Sequence, residues 1–526
     1  MIVTTSSSLL AALAVGAVAC TAHAPERRLS RVALEDKVRG GWAGQMIGVA
    51  HGAPTEFQWN GRIVEGEIEW APESVAETVD QDDLYVEMTF AEVMDTVGLD
   101  ASTEQYGDAF RDSEYWLAHA NARARLNLVR GIKAPMSSHP KYNVHANDID
   151  FQIEADFIGL MCPGLPREAN HYADRVGRVI NYGDGLYGGM FVSGMYAAAF
   201  FEPDPRPIVE AGLASISAES GYGRIIADVL AWHAEHPSDW KTTWRLLEEK
   251  WNTGDLCPDG AFDPVNIDAR LNGAYIALGL LYGEGDFAKT LEISTRAGQD
   301  SDCNPSSAAG VLGVALGYEA IPDEWTSGIP AMADERFSFT EYSFNDIVAS
   351  TLRRVEKVIE SAGGRVTATE IVVPVQAAVE PPLEQWDADP PIRRVEHDDP
   401  AWEWKGEWEP AVFVRPWDEW PVTQAGGAGS EVSLAFEGTG LAFIGGMTPA
   451  GGRADVYVDG EKAGLPFDAW CPERTFDNVP WHVMGLPPGE HTVRVVATGD
   501  ADGRATGSVV QIQAAVLYGS EPTPRP

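Results

Sequence analysis

Two acidic clusters, far apart in the sequence, contain the side chains best suited to chemistry. Residues 80–83 read DQDD and residues 298–304 read GQDSDCN, and each stretch comes just before a helical pattern. Aspartate is a preferred residue at a helix N-terminus, so each cluster taken alone is explained as a helix cap. If the two clusters converge, their carboxylates would supply the hard oxygen ligands that Mg²⁺, Mn²⁺ or Ca²⁺ prefer. Those carboxylates are Asp80, Asp82, Asp83, Asp300 and Asp302.

A third segment strengthens this interpretation. Residues 44–57 (GQMIGVAHGAPTEF) follow a helix start and end in a rigid turn that contains Glu56. In this order the three segments resemble the ADP-ribosylglycohydrolase family, whose members have GDAxGAPxE near the N-terminus, then a TDD-type motif, then GGDTDT before a late helix. The resemblance covers about residues 34–340.

The resemblance implies an all-α catalytic domain with a metal centre, usually of Mg²⁺, between the two acidic clusters. It matches Asp82 and Asp83 to the paired aspartates of the family, and Asp300 and Asp302 to those of GGDTDT. Glu56 matches the acidic residue beside the metals and is expected, with Asp83, to take part in catalysis. Two cations can orient sugar hydroxyls and polarise water, while Glu56 acts as general acid or base. The alternative for Glu56 is a carboxylate on a surface turn.

The sequence departs from the family pattern beside the metal motifs. Gln81 and Cys303 replace the flanking threonines. An amide oxygen is still a hard ligand, whereas a thiol is a poor ligand for Mg²⁺. Whether the centre holds one ion or two therefore stays open.

The middle region is more acidic than the family pattern. Residues 147–156 (NDIDFQIEAD) stand where the family usually has a Gly/Asn/Ser/Arg-rich loop around phosphates. Carboxylates repel a pyrophosphate but accept hydrogen bonds from sugar hydroxyls. We therefore expect a furanoside or another neutral glycan as substrate, contacted by Asn147, Asp148, Asp150, Asn181 and Asp184. Residues 181–184 are equally explained as a turn, and the alternative source of a phosphate cradle is Arg123, Arg125 or Arg130.

The composition limits the possible partners. The chain has 526 residues, with 38 Lys and Arg against 79 Asp and Glu, which gives a net charge of −41. Such a surface repels phosphate backbones, so a general nucleic-acid-binding protein is excluded. A hydrophobic fraction of 44% is typical of a globular protein.

The elements that must position these side chains show two kinds of pattern. From about residue 35 to 362, apolar residues recur every three to four positions, whereas short alternating segments separated by Gly-rich turns follow from residue 431. This predicts an all-α catalytic domain followed by an all-β jelly roll or sandwich, similar to accessory domains of secreted carbohydrate-active enzymes. The expected boundaries are a signal sequence over 1–26, the helical domain over 27–363, a Pro-rich linker over 364–395 and the β-domain over 396–520.

The N-terminus indicates export. Residues 9–19 (LLAALAVGAVA) are apolar but too short to span a bilayer, and they resemble the core of a signal peptide. An A-x-A site follows at 22–24, and Cys20 stands where a lipoprotein would be acylated. We expect a periplasmic, envelope-anchored or secreted protein, with Cys20 as the possible lipid anchor.

The other cysteines do not indicate a metal site. They have neither CxxC nor the Cys/His spacing of structural zinc, and are expected to be small core residues: Cys162, Cys257, Cys303 and Cys471.

These observations favour a metal-dependent glycoside hydrolase acting on a neutral glycan. Two alternatives remain: a true ADP-ribosyl hydrolase, and a non-catalytic surface protein that binds glycans.

Overall fold

The computed structural model describes residues 25–520, except 253–254, 259, 387, 416–417 and 474–477. Cys20 and nearly all of the predicted signal sequence lie outside these residues. Among the described helices, none combines the length and the apolarity needed to cross a bilayer.

Helices fill the first part of the chain, as the 3.6-residue periodicity predicts. They are α1 (Arg31–Gly52), α2 (Asp82–Thr96), α3 (Thr103–Arg111), α4 (His119–Val129), α5 (Asp150–Ile153), α6 (Asp156–Leu160), α7 (Pro166–Gly177), α8 (Asp184–Ala199), α9 (Pro205–Leu213), α10 (Gly221–Glu235), α11 (Trp240–Trp251), α12 (Ala269–Gly283), α13 (Phe287–Arg296), α14 (Cys303–Leu316), α15 (Asp323–Thr326), α16 (Ile329–Met332) and α17 (Phe344–Ser361). Short 3₁₀ turns cover Ala53–Thr55, Pro72–Asp80 and Tyr318–Ala320.

Helices α1 and α14 pack with their backbones in close contact. Four glycines on one face of α1, spaced four residues apart, lie against α14 and the segment before it: Gly40, Gly44, Gly48 and Gly52. A Cβ atom on any of them would overlap a backbone carbonyl of the opposing segment. This close approach places the end of α1 directly against the second acidic cluster.

Antiparallel strands fill the rest of the chain. They are β1 (Glu26–Ser30), β2 (Arg365–Val366), β3 (Glu370–Pro374), β4 (Pro391–Glu396), β5 (Trp402–Lys405), β6 (Glu409–Val414), β7 (Glu419–Ala425), β8 (Glu431–Gly438), β9 (Gly440–Ile444), β10 (Gly452–Val458), β11 (Glu461–Lys462), β12 (Phe467–Asp468), β13 (Trp481–Val483), β14 (Gly489–Ala501), β15 (Val510–Ile512) and β16 (Ala514–Tyr518).

The C-terminal strands form a sandwich. One sheet has the order β11-β10-β14-β8-β5 with β12 on β10, a second has the order β13-β9-β16-β4, and β15-β7-β6 form a third. Alternate residues of the first two sheets, such as Leu434 and Val495 against Phe443 and Leu517, share one apolar core. The predicted β-sandwich is confirmed.

The predicted linker over 364–395 contains ordered structure. Strand β3 pairs with β1 and β2, and its residues Ile371 and Val373 lie in the core of the helical domain. Further along, Glu384 accepts a hydrogen bond from Gly183 N at 3.1 Å and forms an ion pair with Arg178 at 3.0 Å. The segment therefore runs along the helical domain and is held against it.

The sandwich packs against the helical domain through the outer face of its second sheet. Ile444, Val516 and Tyr518 share a buried apolar cluster with Val144 of the helical domain. The hydroxyl of Tyr518 also donates a hydrogen bond to the carbonyl of Leu256, at 3.0 Å. Strands β9 and β16 are consequently buried on both faces.

Candidate metal centre and substrate groups

The acidic residues that precede or open α2 and α14 lie together in the structure. The charge of Asp82 acts on both Asp83 and Asp302, and Asp300 lies next to Asp302. Glu56 lies beside Asp302 and Asp82. The structure thus brings all five predicted catalytic and metal-binding residues into one cluster, which we call the acidic centre.

Glu56 reaches the acidic centre because its turn is fixed to the segment before α14. Thr55 Oγ1 lies 2.7 Å from Ser301 Oγ, and Phe57 N donates to Gln299 O at 3.1 Å. Gln299 adopts a positive φ of 57°, which bends the chain so that the following aspartates face this turn.

The aspartates do not act as the helix caps that sequence alone would explain. Gln81 is the N-cap of α2 and Asp302 that of α14, and neither makes a side-chain capping hydrogen bond. Both oxygens of Asp83 and Oδ1 of Asp300 are buried and accept no hydrogen bond of normal geometry from the described residues, although Cys303 and Ser306 lie close to Asp83. A buried carboxylate without partners is costly unless a cation satisfies it.

Burial and mutual repulsion raise the pKa of every carboxyl group in the acidic centre. Burial raises the pKa of Asp300 to about 7, and it holds those of Asp83 and Asp302 well above the usual range. Glu56 lies at the solvent-exposed edge, where partial burial and the charges of Asp302 and Asp82 raise its pKa to about 8. Five clustered carboxyl groups of hard oxygen atoms fit a divalent cation such as Mg²⁺.

Cys303 adds a soft atom to this set. Its thiol lies 3.8 Å from Asp302 Oδ1, and its sulfur lies within 4.8 Å of oxygens from Asp300 and Asp302. The replacement noted in the sequence therefore points into the acidic centre.

A buried layer behind the acidic centre was not identified from the sequence. Glu87, one turn after Asp83 on α2, accepts hydrogen bonds from Gln45 Nε2 at 3.0 Å and from Phe157 N at 2.8 Å. Glu87 and Asp156 are both fully buried, and burial together with the charge of Asp156 raises the pKa of Glu87. The four-residue spacing from Asp83 to Glu87 was the available signal, because it puts both on one helix face.

Two of the five predicted substrate residues instead hold the backbone together. Asp150 accepts from Ala120 N at 3.1 Å and Asn121 N at 2.9 Å, and so satisfies the first turn of α4. Asn181 accepts from Phe151 N at 3.0 Å and donates to the carbonyl of Asp148 at 2.7 Å.

Asn147 and Asp184 line a cavity between the helical domain and the sandwich. Its volume is 530 Å³, and Arg270, Trp251 and Trp386 also contribute to its wall. Asn147 Oδ1 is buried without a hydrogen-bond partner among the described residues. An unsatisfied acceptor and two indole rings are groups that can contact a sugar.

Asp148 lies in a different cluster, together with His119, His145 and Cys257. One ligand atom from each of the four lies within 4.8 Å of the others. The sequence did not indicate this group because its members come from three separate segments without a zinc-type spacing.

The three arginines considered as a phosphate cradle bind elsewhere. Arg123 donates to the carbonyl of Val479, and Arg130 donates to those of Trp470 and Asp468, all in the sandwich. Arg125 donates to the carbonyl of Tyr115 at 2.6 Å.

The chain is similar to several known proteins. The sequence model of the ADP-ribosylglycohydrolase family matches residues 30–355. Among solved structures, an ADP-ribosylglycohydrolase-related protein complex is 16% identical, with a TM-score of 0.39, over 62% of this chain and 99% of that one. A xanthan lyase from Paenibacillus is 12% identical over 28% of this chain and 15% of that one, with a TM-score of 0.19. A family two carbohydrate esterase from Cellvibrio japonicus is 16% identical over 26% of this chain and 35% of that one, with a TM-score of 0.17. No curated protein matches significantly.

Proposed function

The chain belongs to the ADP-ribosylglycohydrolase family, and from this premise we propose that it hydrolyses a glycosidic bond of a furanoside or another neutral glycan with the help of a divalent metal. Family membership indicates a hydrolase of this superfamily. The observation that supports the proposal is the convergence of Asp82, Asp83, Asp300 and Asp302 with Glu56 at the exposed edge.

In the proposed mechanism, the four aspartates hold the cation and fix the position of the sugar. A divalent cation there would polarise the sugar hydroxyls and the attacking water. Glu56 either donates a proton to the departing oxygen, as a general acid, or accepts a proton from the attacking water, as a general base. Asp83, with two unsatisfied oxygens, orients the reacting groups.

Charge supports a neutral substrate over ADP-ribose. A diphosphate needs backbone N–H groups, Arg or Lys around it. Arg123, Arg125 and Arg130 are occupied by carbonyl groups, and the two arginines of the cavity wall, Arg224 and Arg270, lie beside the carboxylate of Asp184. The cavity with Trp251, Trp386 and Asn147 has no lining residue in common with the acidic centre, and it offers further contacts to a neutral glycan through aromatic faces and a hydrogen-bond acceptor.

A hydrolysis screen tests the proposal. The full-length protein is assayed with aryl furanosides, aryl pyranosides and an ADP-ribosylated peptide, in Mg²⁺ and again after EDTA treatment. We expect hydrolysis of a neutral glycoside that EDTA abolishes and Mg²⁺ restores. Glu56→Gln should lower kcat by about 100-fold or more, whereas Glu65→Gln, which changes an exposed glutamate later in the same connecting segment, should leave it unchanged.

Other outcomes of the screen would contradict the proposal. Cleavage of the ADP-ribosylated peptide alone, or micromolar binding of ADP-ribose in calorimetry, would restore the usual family substrate. Glycan binding without any hydrolysis would favour the non-catalytic surface protein.

We also propose that the protein is exported, from the apolar segment and the two processing signals at residues 9–24. Mass spectrometry of native material should find a mature chain that begins at Cys20 or after Ala24. An intact Met1 in a cytoplasmic fraction would contradict this.

A further inference from the structure

The cluster of His119, His145, Asp148 and Cys257 is separate from the acidic centre in composition. His145, Asp148 and Cys257 are almost completely buried, while the imidazole of His119 is 30% exposed. Two nitrogen ligands, one oxygen and one sulfur form a donor set that zinc-class ions bind well and that Mg²⁺ does not.

Three of the distances within the cluster are close to those of ligands around a single ion: one lies in the range expected for such ligands, and two are hydrogen-bond contacts that would lengthen by a few tenths of an ångström around an ion. Asp148 Oδ2 lies 3.0 Å from His145 Nδ1 and 3.6 Å from His119 Nδ1, and Cys257 Sγ lies 3.1 Å from His145 Nδ1. Ligand atoms of a tetrahedral zinc ion lie about 3.3–3.6 Å apart, given metal–ligand bonds of about 2.0–2.3 Å.

The alternative of a cysteine nucleophile with a histidine base does not fit these contacts. In such a relay the nucleophile and the carboxylate use different nitrogens of the imidazole. Here Cys257 and Asp148 both approach Nδ1 of His145. One ring nitrogen carries at most one hydrogen, so it cannot make a good hydrogen bond to both partners.

The surrounding backbone holds the four side chains in place. Asp255 accepts from Cys257 N at 2.9 Å and from Ile267 N at 3.0 Å. Asn143 Oδ1 accepts from His145 N at 3.0 Å. His119 begins α4 with a positive φ of 45°, a conformation that costs energy in a residue with a Cβ atom and is found most often at functional sites.

We propose that His119, His145, Asp148 and Cys257 bind one divalent ion of the zinc class, at a site distinct from the acidic centre. A thiolate and a carboxylate neutralise the two positive charges, and the two imidazoles bind as neutral ligands. The exposed side of His119 gives the ion a route to and from solvent. The ion would also tie Cys257 to the segment of His145 and Asp148, which precedes α5.

Cobalt substitution of the full-length protein tests this site. The protein is stripped of metal with a chelator, saturated with Mg²⁺ to occupy the acidic centre, and titrated with Co²⁺. We expect one equivalent to bind with a thiolate-to-cobalt charge-transfer band and strong visible bands of tetrahedral cobalt, and Zn²⁺ to abolish both.

Variants separate this site from the acidic centre, which has its own thiol. Cys257→Ala should remove the charge-transfer band, His119→Ala should weaken Co²⁺ binding by about tenfold or more, and Cys303→Ala should leave the band intact. Because His119 is partly exposed, its variant tests the site even if Cys257→Ala fails to fold. The inference is overturned if the wild-type protein gives no thiolate band, or if the band is lost in Cys303→Ala and kept in Cys257→Ala. None of these readouts depends on glycoside hydrolysis, so the proposed function succeeds or fails separately.

Discussion

At the scale of single residues, Asp83 shows most clearly that the acidic centre by itself lacks a partner for its buried carboxylates. Its carboxylate is fully buried, faces two other aspartates and makes no hydrogen bond of normal geometry to the described residues. Such a group destabilises the metal-free fold and would stabilise the metal-bound one.

Replacing Asp83 should therefore have opposite effects on the two forms. We expect Asp83→Asn to stabilise the metal-free protein by about 1 kcal/mol, because it removes a carboxyl group that is buried either as a charge or at the cost of binding a proton. The same change should abolish the rise in Tm caused by Mg²⁺ and lower hydrolytic activity by about 100-fold or more. Scanning calorimetry with EDTA and with Mg²⁺ measures both effects.

Asp80→Asn is the matched control, since Asp80 is exposed and lies just before the same helix. It should leave both melting temperatures unchanged. A normal Mg²⁺ response in Asp83→Asn would show that Asp83 is not a ligand.

At the scale of elements, the glycine face of α1 decides whether the acidic centre forms. Helix α14 and the end of α1 can bring Glu56 to the aspartates only at backbone-contact distance. Helix α1 shows only weak hydrophobic periodicity, because its second half is buried on the glycine face and on nearly all other sides.

Gly48→Ala tests this packing. In an ordinary helix interior, alanine is more stable than glycine by about 1 kcal/mol. Here the new methyl group would overlap the carbonyl of Pro305, so we expect a loss of about 1–3 kcal/mol together with loss of metal-dependent stabilisation. Urea unfolding with and without Mg²⁺ measures both.

Gly464→Ala is the control, because a Cβ atom at that position meets nothing within 4 Å. If Gly48→Ala were as stable as the wild type, the close approach of α1 and α14 would be contradicted.

At the scale of the whole molecule, the sandwich is part of the same folded unit as the helical domain. Val516 of β16 faces Val144 of the helical domain, whereas its neighbours Ala515 and Leu517 face the sandwich core. The arginines of α4 add hydrogen bonds across the same boundary.

Val516→Asp should weaken the contact between the two domains so that they no longer unfold together. A charge at this buried interface is expected to cost about 3 kcal/mol or more, and to split a single thermal transition into two. Val412→Asp, on an exposed face of β6, is the control and should keep the single transition. Two transitions already present in the wild type would contradict the tight coupling of the domains.

The stability of the metal-free protein should fall as the pH rises. Burial raises the pKa of both Asp300 and Asp156 to about 7, so the folded state holds protons that the unfolded state releases near pH 4. Stability from these groups is complete below about pH 4 and is lost as the pH rises towards 7, by up to about 1.4 kcal/mol per pH unit for each proton.

Mg²⁺ should weaken this dependence, because a cation favours the ionised form of Asp300. Asp156→Asn should reduce the pH dependence of the free energy of unfolding by the contribution of about one proton, both with and without Mg²⁺. Denaturant unfolding between pH 5 and 8 measures the slope, and a metal-free protein that becomes more stable over this range would contradict the assignment.

Local patterns in the sequence determined a large part of this protein. The periods of 3.6 and 2, the Gly-rich turns and the acidic stretches at residues 80–83 and 298–304 each depend on neighbours along the chain. They were sufficient to predict the helical domain and the sandwich, whereas the family resemblance supplied the residues of the acidic centre and the expectation that the two stretches meet.

Only the tertiary structure decided the roles that depend on distant segments. Asp150 satisfies the start of α4, and Arg130 reaches the sandwich rather than a phosphate. His119, His145 and Cys257 meet because α4 and two loops converge beside Asp148. The physical reason is that burial and ligand geometry are set by long-range packing, and no spacing along the chain encodes which loops will lie within one ion's radius of each other.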